Sequence, residues 1–206
     1  MTPANESDTY LAEGERQGWF ALVCYVSDPL KSQIEALRRS IPGRELPPVH
    51  ITVLPPRPLS SGVENACALV EKAARQFAPF EAQLSELRSF PETNFLYLEI
   101  DAGAAKLREL HSKLNTGDLH HVEIHEYRPH LTLGGPVPQD DLRQAERAAA
   151  EEWSKISVGR FVRVEELVCL WVVSSRDGEW TRVASYSLTG PAVRQTAAGY
   201  ESNMLS

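Results

Sequence analysis

Cysteine is scarce in this chain, and its three cysteines are widely separated. Cys24, Cys67 and Cys169 form no metal-ligand spacing, and three thiols cannot all pair within one chain. Such residues are typical of small buried side chains in a reducing compartment. The sequence therefore predicts free, buried thiols and a cytoplasmic location.

The chain also lacks long apolar runs and an excess of basic residues. No apolar stretch is long enough to cross a bilayer, and residues 1–18 are polar and acidic, unlike a secretory leader. The net charge of −7 argues against a broad basic surface that binds nucleic acid by releasing counterions. We expect a protein that neither spans a membrane nor is secreted, and that binds any phosphate at a small local site.

The overall composition is that of an ordinary globular protein, with 42% hydrophobic and 24% charged residues. A length of 206 residues suits one compact domain. Residues 1–17 and 191–206 lack hydrophobic periodicity, which predicts flexible segments on either side of a single domain over residues 18–190. We expect this domain to be a monomer.

One order of elements occurs twice along the domain: strand, helix, short strand, helix, strand. The repetition predicts an α+β fold with two pseudo-symmetric lobes, each an antiparallel-rich sheet backed by helices, and an active-site cleft between them. Asp28, Ser61 and Asp101 are the predicted N-caps of three of the helices. The elements are predicted at residues 19–27, 28–41, 50–54, 61–77 and 80–90, and then at 94–100, 101–116, 130–133, 142–156, 162–173 and 180–188.

Each of the two short strands begins with a histidine that is followed two residues later by a threonine. Because side chains alternate along a strand, His50 and Thr52 face one side, and His130 and Thr132 do the same in the second strand. With an ordinary pKa of about 6.5, histidine can take or give a proton near neutral pH. Two histidines can therefore serve as base and acid in the cleavage of a phosphodiester, while threonine hydroxyls bind its non-bridging oxygens.

These patterns predict His50 and His130 as catalytic residues and Thr52 and Thr132 as phosphate-binding residues, with no metal and no cofactor. Taken singly, either histidine is more simply explained as a structural residue at a strand end, and either threonine as a strand former. The duplication in matching contexts favours the catalytic interpretation.

The two motifs, HITV at 50–53 and HLTL at 130–133, resemble those of the 2H phosphoesterase superfamily, which includes 2'-5' RNA ligase-like proteins and cyclic phosphodiesterases. The flanking sequences PPVHITVLPP and YRPHLTLGG strengthen the resemblance, which covers residues 19–188. It implies a bilobal α+β fold, two histidines as acid and base, and two threonines as phosphate contacts. The chain departs from RNA ligase-like members at Pro55-Pro56-Arg57, where they often carry Phe-x-Gly, so the substrate stays open.

The leading hypothesis is metal-independent hydrolysis of a 2',3'-cyclic phosphate or a related small RNA-derived phosphodiester. An alternative is reversible 2'-5' RNA ligation or cleavage of 2'-5' linked oligonucleotides. A third is a non-catalytic module that binds a nucleotide or an RNA end. All three have a small nucleotide or RNA end as partner, with no extended nucleic-acid surface.

Other residues have two competing interpretations. The spacing of His121 and His125 would suit a metal chelate on a helix, but the stretch around them has weak helical character, which favours a solvated loop. Arg57 is either a phosphate contact or a solvated side chain, and Tyr127 either lines the cleft or packs. Five aromatic residues are candidates to stack on a base, with a place in the core as the alternative: Phe20, Tyr25, Phe95, Tyr97 and Trp171.

Overall fold

The computed structural model describes residues 18–172 and 180–191. Within these ranges the chain forms eight strands and four α-helices. The two segments predicted to be flexible lie outside the described residues, apart from Pro191. They are residues 1–17 and 191–206. The strands are β1 (Trp19–Tyr25), β2 (His50–Pro58), β3 (Phe80–Ser89), β4 (Leu96–Ile100), β5 (His130–Gly134), β6 (Phe161–Val164), β7 (Glu166–Val172) and β8 (Trp180–Ser187), and the helices are α1 (Leu30–Arg38), α2 (Val63–Ala74), α3 (Ala104–Leu114) and α4 (Leu142–Lys155).

The described strands form two antiparallel four-stranded sheets, with the orders β2-β1-β7-β8 and β5-β4-β3-β6. The two strands that carry the histidine motifs, β2 and β5, each lie at the edge of a sheet, and these two edges contact each other. The α+β fold with two matching lobes is therefore confirmed, and both motifs lie at the junction of the lobes.

The repeated order of elements divides the domain into two halves, residues 19–90 and 94–188, and each lobe takes elements from both. β7 comes from the second half and pairs with β1, whereas β3 comes from the first half and pairs with β4. The helices are exchanged as well, because α1 packs against β5 and α3 packs against β2. The lobes are interlocked, and each motif strand is supported by a helix from the other half of the chain.

Most strand boundaries lie within two residues of the sequence prediction, and two differ more. The stretch 162–173, predicted as one strand, divides at Glu165 into β6 and β7, which belong to different sheets. Strand β2 runs on to Pro58, although the sequence prediction ended it at residue 54. β2 is an edge strand whose pairing with β1 shifts register at this point, so Pro55 and Pro56 remove no regular ladder hydrogen bond.

Helix starts also differ from the prediction. α2 follows Gly62 and α3 follows Gly103, and neither Ser61 nor Asp101 caps a helix with its side chain. Gly103 has a left-handed φ of 87° and packs against the backbone of β3, where a side chain would collide. Asp28 does accept a hydrogen bond from the backbone of Ser32 at 3.1 Å, although α1 begins only at Leu30.

The three cysteines are free and buried in the core, as the sequence predicted. Burial raises the pKa of Cys24 to about 12 and also raises the pKa values of Cys67 and Cys169, so all three thiols stay protonated at neutral pH. They act as small apolar side chains. Across the described part of the chain, none of the helices is both long and apolar enough to traverse a bilayer.

Candidate active site

The two edge strands present their first residues in the same way. In β2, His50 and Thr52 are partly exposed while Ile51 and Val53 are buried. β5 repeats this pattern, with His130 and Thr132 partly exposed and the intervening leucines buried. Since β2 and β5 contact each other, the two histidine–threonine pairs lie at one junction between the lobes.

Both imidazoles are held by the same backbone hydrogen bond. Nδ1 of His50 lies 2.7 Å from the carbonyl oxygen of Pro48, and Nδ1 of His130 lies 2.7 Å from that of Arg128. A carbonyl can only accept, so Nδ1 carries the proton and donates in both rings. Nε2 is then the nitrogen left to exchange a proton with a ligand.

The pKa values of both histidines lie below the ordinary value. Burial is the largest cause in each, and the bond to the preceding carbonyl opposes it in part. The charges of Arg38 and His130 lower the pKa of His50 further, and the charge of Arg128 lowers that of His130. The free protein therefore holds two neutral imidazoles at neutral pH, close enough to interact electrostatically.

Two arginines beside this junction act electrostatically on its histidines, in a chain whose net charge is −7. Arg38 reaches it from the last turn of α1, and Arg128 lies two residues before His130 with its Nη1 donating to the hydroxyl of Tyr97 at 2.9 Å. Neither arginine was predicted from the sequence. Arg128 follows Tyr127 in the second motif, which offered a signal, whereas the position of Arg38 depends on how α1 packs.

Aromatic rings stand beside both histidines. Tyr25 meets His50 edge-on at 6.3 Å between ring centroids, and Phe90 and Tyr97 meet His130 at 5.0 and 5.5 Å. Phe90, which the sequence did not single out, stacks on Tyr97 at 4.1 Å and is partly exposed.

Three of the five aromatic residues considered as stacking surfaces are buried in the core: Phe20, Phe95 and Tyr97. For these three, the alternative interpretation was the right one. Tyr25 and Trp171 are partly exposed, and Tyr25 is the one of the two whose ring contacts a motif histidine. Among the candidates, Tyr25 is thus placed to meet a ligand at His50.

Both sequence interpretations of Arg57 are wrong, because its side chain is completely buried. It donates to the carboxylate of Glu123, to Oδ1 of Asn115 at 2.8 Å and to the backbone carbonyl of Leu119 at 2.9 Å. Since β2 continues through Pro58, this side chain points inward and meets the segment that follows α3. Arg57 is a structural residue that is not available to a phosphate.

The segment after α3 is a loop, as the sequence indicated. Residues 120–129 form no helix or strand, so His121 and His125 do not lie on a common helix face, and His120 and His125 are exposed. Within residues 18–172 and 180–191, the side chains of histidine, cysteine, aspartate and glutamate form no group of three or more that is placed to hold a metal ion. The loop is nonetheless fixed at Glu123, which binds both Arg57 and His111.

Tyr127 joins this loop to the first motif. Its hydroxyl donates to the backbone carbonyl of Thr52 at 2.8 Å, and its ring stacks on His111 with centroids 4.0 Å apart and an interplanar angle of 4°. The packing role that the sequence left open is present, and the hydroxyl also contacts a motif strand.

Comparison with known proteins identifies the family. The family model described as the 2'-5' RNA ligase superfamily matches residues 26–176, a range that includes both histidine motifs. The chain belongs to the 2'-5' RNA ligase superfamily. This membership confirms the resemblance to 2H phosphoesterases.

Individual proteins also resemble the chain in sequence or in fold. A protein of Oceanobacillus iheyensis, described as a candidate phosphoesterase, is 27% identical over 130 residues, which cover 60% of this chain and 74% of that protein. Escherichia coli LigT in complex with phosphate has a TM-score of 0.58 at 16% identity, over 84% of this chain and 99% of LigT. TT0787 of Thermus thermophilus has a TM-score of 0.58 at 18% identity, over 84% and 98% of the two chains. At these identities, the solved structures show the shared fold.

Proposed function

We propose that this protein is a metal-independent phosphodiesterase that hydrolyses 2',3'-cyclic phosphates or related small RNA-derived phosphodiesters, with His50 and His130 as general acid and base. The observation that carries the proposal is the matched pair of imidazoles. Each is fixed through Nδ1 by the carbonyl two residues before it, and both lie where the edges of the two sheets meet. Membership of a phosphoesterase and RNA ligase family supports this chemistry.

In the proposed reaction, Nε2 of one histidine takes a proton from water as the water oxygen bonds to phosphorus. Nε2–H of the other histidine gives its proton to the departing ribose oxygen as that P–O bond breaks. The product is a phosphomonoester beside a free ribose hydroxyl, and the two imidazoles have exchanged protonation states. The bound phosphate supplies the negative charge that raises the pKa of a neighbouring imidazole, so that one can be protonated when the substrate arrives.

Thr52 and Thr132 are the proposed phosphate ligands. Each lies two residues after its histidine on the same face of the strand, about 6.6 Å along it. From there, a hydroxyl can donate to a non-bridging oxygen and stabilise the charge that develops in the transition state. Arg38 and Arg128 add positive charge near the two histidines, which favours an anionic substrate.

The proposed substrate is small. The net charge of −7 disfavours tracking along a nucleic acid, and solved structures of LigT are complexes with ATP, phosphate and 3'-AMP, which are ligands of this size. The proposal includes a monomer that acts in the cytoplasm.

The first test is a metal-free assay with nucleoside 2',3'-cyclic phosphates, in the presence of a chelator. His50→Ala and His130→Ala should each lower kcat by roughly 10²–10⁴-fold, because each removes one partner in proton transfer. His125→Ala is the matched control, since His125 is exposed in the loop and should turn over normally. Wild-type turnover in either motif variant, or loss of wild-type activity on chelation, would contradict the proposal.

The second candidate is 2'-5' RNA ligation or cleavage of 2'-5' linkages, which the name of the family favours. The same two histidines can run the chemistry in either direction. Two substrates separate the candidates: RNA fragments that end in a cyclic phosphate, and 2'-5' linked oligoadenylates. Ligation gives longer products, cleavage of a 2'-5' linkage gives shorter ones, and hydrolysis of the cyclic phosphate changes only the end group, so the three outcomes migrate differently on a gel. Tight nucleotide binding with no turnover on this panel would point instead to a binding module.

A further inference from the structure

The backbone carbonyl of each motif threonine accepts a hydrogen bond from a side chain in the other half of the chain. Nη2 of Arg38, at the end of α1, lies 2.6 Å from the carbonyl oxygen of Thr132 in β5. The hydroxyl of Tyr127, in the loop before β5, lies 2.8 Å from the carbonyl oxygen of Thr52 in β2. The two contacts are reciprocal, because each half of the chain reaches the motif strand of the other.

These contacts lie where the main-chain ladders provide no connection. β2 and β5 are edge strands of different sheets, and in the described part of the chain each pairs with one neighbour, β1 or β4. The ladders therefore fix each histidine within its own sheet but not the distance between the sheets. Contacts that cross the junction set that distance, and the bonds of Arg38 and Tyr127 act there beside the packing of α1 on β5 and a backbone bond from the N–H of Arg44 to the carbonyl of Gly135 at 3.3 Å.

Arg38 spans the junction with both ends of its guanidinium group. While Nη2 contacts Thr132, Nη1 donates to the carbonyl oxygen of Pro47 at 2.8 Å, three residues before His50. Burial lowers its pKa to about 10, so the group stays charged at neutral pH. The planar fork thus joins the chain entering β2 to the backbone of β5.

Tyr127 is held rigidly on its own side. Its ring lies flat against His111, His111 lies 2.9 Å from the carboxylate of Glu123, and Glu123 binds Arg57, which belongs to β2 itself. Burial raises the pKa of Tyr127, so its hydroxyl remains a donor. The loop that leads into His130 is therefore attached to β2 at two points.

We propose that Arg38 and Tyr127 are positioning residues that set the separation of His50 and His130 across the junction of the lobes. The inference rests on the proposed function, since it is the two-histidine chemistry that needs this separation. Proton transfer is sensitive to small displacements of the catalytic group, and a misplacement of about 1 Å can lower the rate by up to about 100-fold. Loss of either contact should therefore lower kcat much more than it raises KM.

Tyr127→Phe is the sharpest variant, because it keeps the ring and its stacking on His111 and removes only the hydroxyl. We expect kcat for a nucleoside 2',3'-cyclic phosphate to fall roughly 10- to 100-fold with KM nearly unchanged. Tyr186→Phe is the matched control, since Tyr186 lies in β8 at the opposite edge of the first sheet. It should turn over as the wild type does.

For Arg38, Lys and Met variants separate geometry from charge. Arg38→Lys keeps the charge and loses the fork, and its kcat should fall as in Tyr127→Phe. Arg38→Met also removes the charge, so NMR titration should show the pKa of His50 rising towards its ordinary value. Arg39→Met, at the neighbouring exposed residue, is the control for both.

Unfolding temperatures separate a fault in positioning from a fault in folding. Should Arg38→Met fail to fold, Arg38→Lys and Tyr127→Phe still carry the test. Wild-type kcat in both of these variants, beside an active wild-type enzyme, would overturn the positioning role and leave the proposed function standing. An inactive wild-type enzyme would overturn both.

Discussion

The imidazoles of His50 and His130 are held alike but have different electrostatic surroundings. Both donate through Nδ1 to a carbonyl two residues earlier, so neither the tautomer nor the ring orientation distinguishes them. The charges of Arg38 and His130 act on His50, whereas the charge of Arg128 acts on His130. Which ring serves as acid is therefore decided by these neighbours and by the bound phosphate.

The lowered pKa values predict an acidic pH optimum. A base must be neutral and an acid protonated, so kcat/KM should follow a bell whose maximum lies midway between the two histidine pKa values. Burial, the largest cause in both, places both values below the ordinary one. The maximum should therefore lie below about pH 6.5, measured on a cyclic phosphate at constant ionic strength. A maximum at or above pH 7.5 would be at odds with the lowered pKa values of the two imidazoles.

For single residues, the sequence predicts only the positions that a short motif specifies. His50 and Thr52 share a face because strands alternate, and that follows from four consecutive residues. Arg38, in contrast, reaches the junction only because α1 packs on the sheet of the other half. Phe90 lies beside His130 for a similar reason, and the hydrophobic pattern contains no sign of either contact.

At the scale of elements, β2 and the loop after α3 are joined by a buried ion pair. The guanidinium group of Arg57 is fully buried, and Glu123 shares its carboxylate between Arg57 and His111. Burial raises the pKa of Glu123, but the hydrogen bonds and charges of His111 and Arg57 outweigh this and lower it overall. The carboxylate is therefore ionised at neutral pH and balances the buried arginine.

Removal of that carboxylate should be strongly destabilising. Glu123→Gln leaves the Arg57 charge buried without its counterion, and breaking a buried pair on one side costs roughly 3 kcal/mol. Urea unfolding at pH 7 should show a loss of this size. Glu71→Gln is the control, because the Glu71–Arg75 pair is exposed and its loss should cost far less. Equal effects of the two variants would mean that the buried pair contributes nothing special.

The ion pair between Arg57 and Glu123 also predicts how the free energy of unfolding depends on pH. Because the folded-state pKa of Glu123 is lowered, its contribution is fully present above the ordinary value of 4.5 and is lost as pH falls through the folded value. The difference in unfolding free energy between wild type and Glu123→Gln should therefore shrink below about pH 4.5. A difference that stays constant down to pH 3 would contradict this assignment.

Hydrophobic periodicity predicted the elements well but not their limits. The order of strands and helices follows from alternating and helical spacing, which the chain itself determines. The division of 162–173 at Glu165 depends on which neighbours β6 and β7 find, and these lie in different sheets. The start of α3 depends on the close packing of Gly103 against β3. Both are tertiary effects.

At the scale of the whole molecule, interlocked lobes bring two distant motifs to one place. Strands and helices cross between the halves, so each motif strand is backed by a helix from the other half. The repeat in the sequence predicted two matching lobes. It could not predict this exchange, because the exchange depends on which strands pair with each other in the folded protein. Arg38 and Arg128 place positive charge beside the two histidines in a protein with a net charge of −7, which suits a small anionic substrate.

The proposed mechanism requires one phosphorus atom to lie between the two imidazoles. Crystal structures with a nucleoside 2'-monophosphate and a nucleoside 3'-monophosphate, the two possible products of cyclic phosphate opening, test this directly. The proposed mechanism predicts, for at least one of them, phosphate oxygens within hydrogen-bond distance of Nε2 of both His50 and His130, with the hydroxyls of Thr52 and Thr132 on the remaining oxygens. A phosphate bound to one histidine with the other imidazole out of reach, or bound away from the junction of β2 and β5, would contradict it.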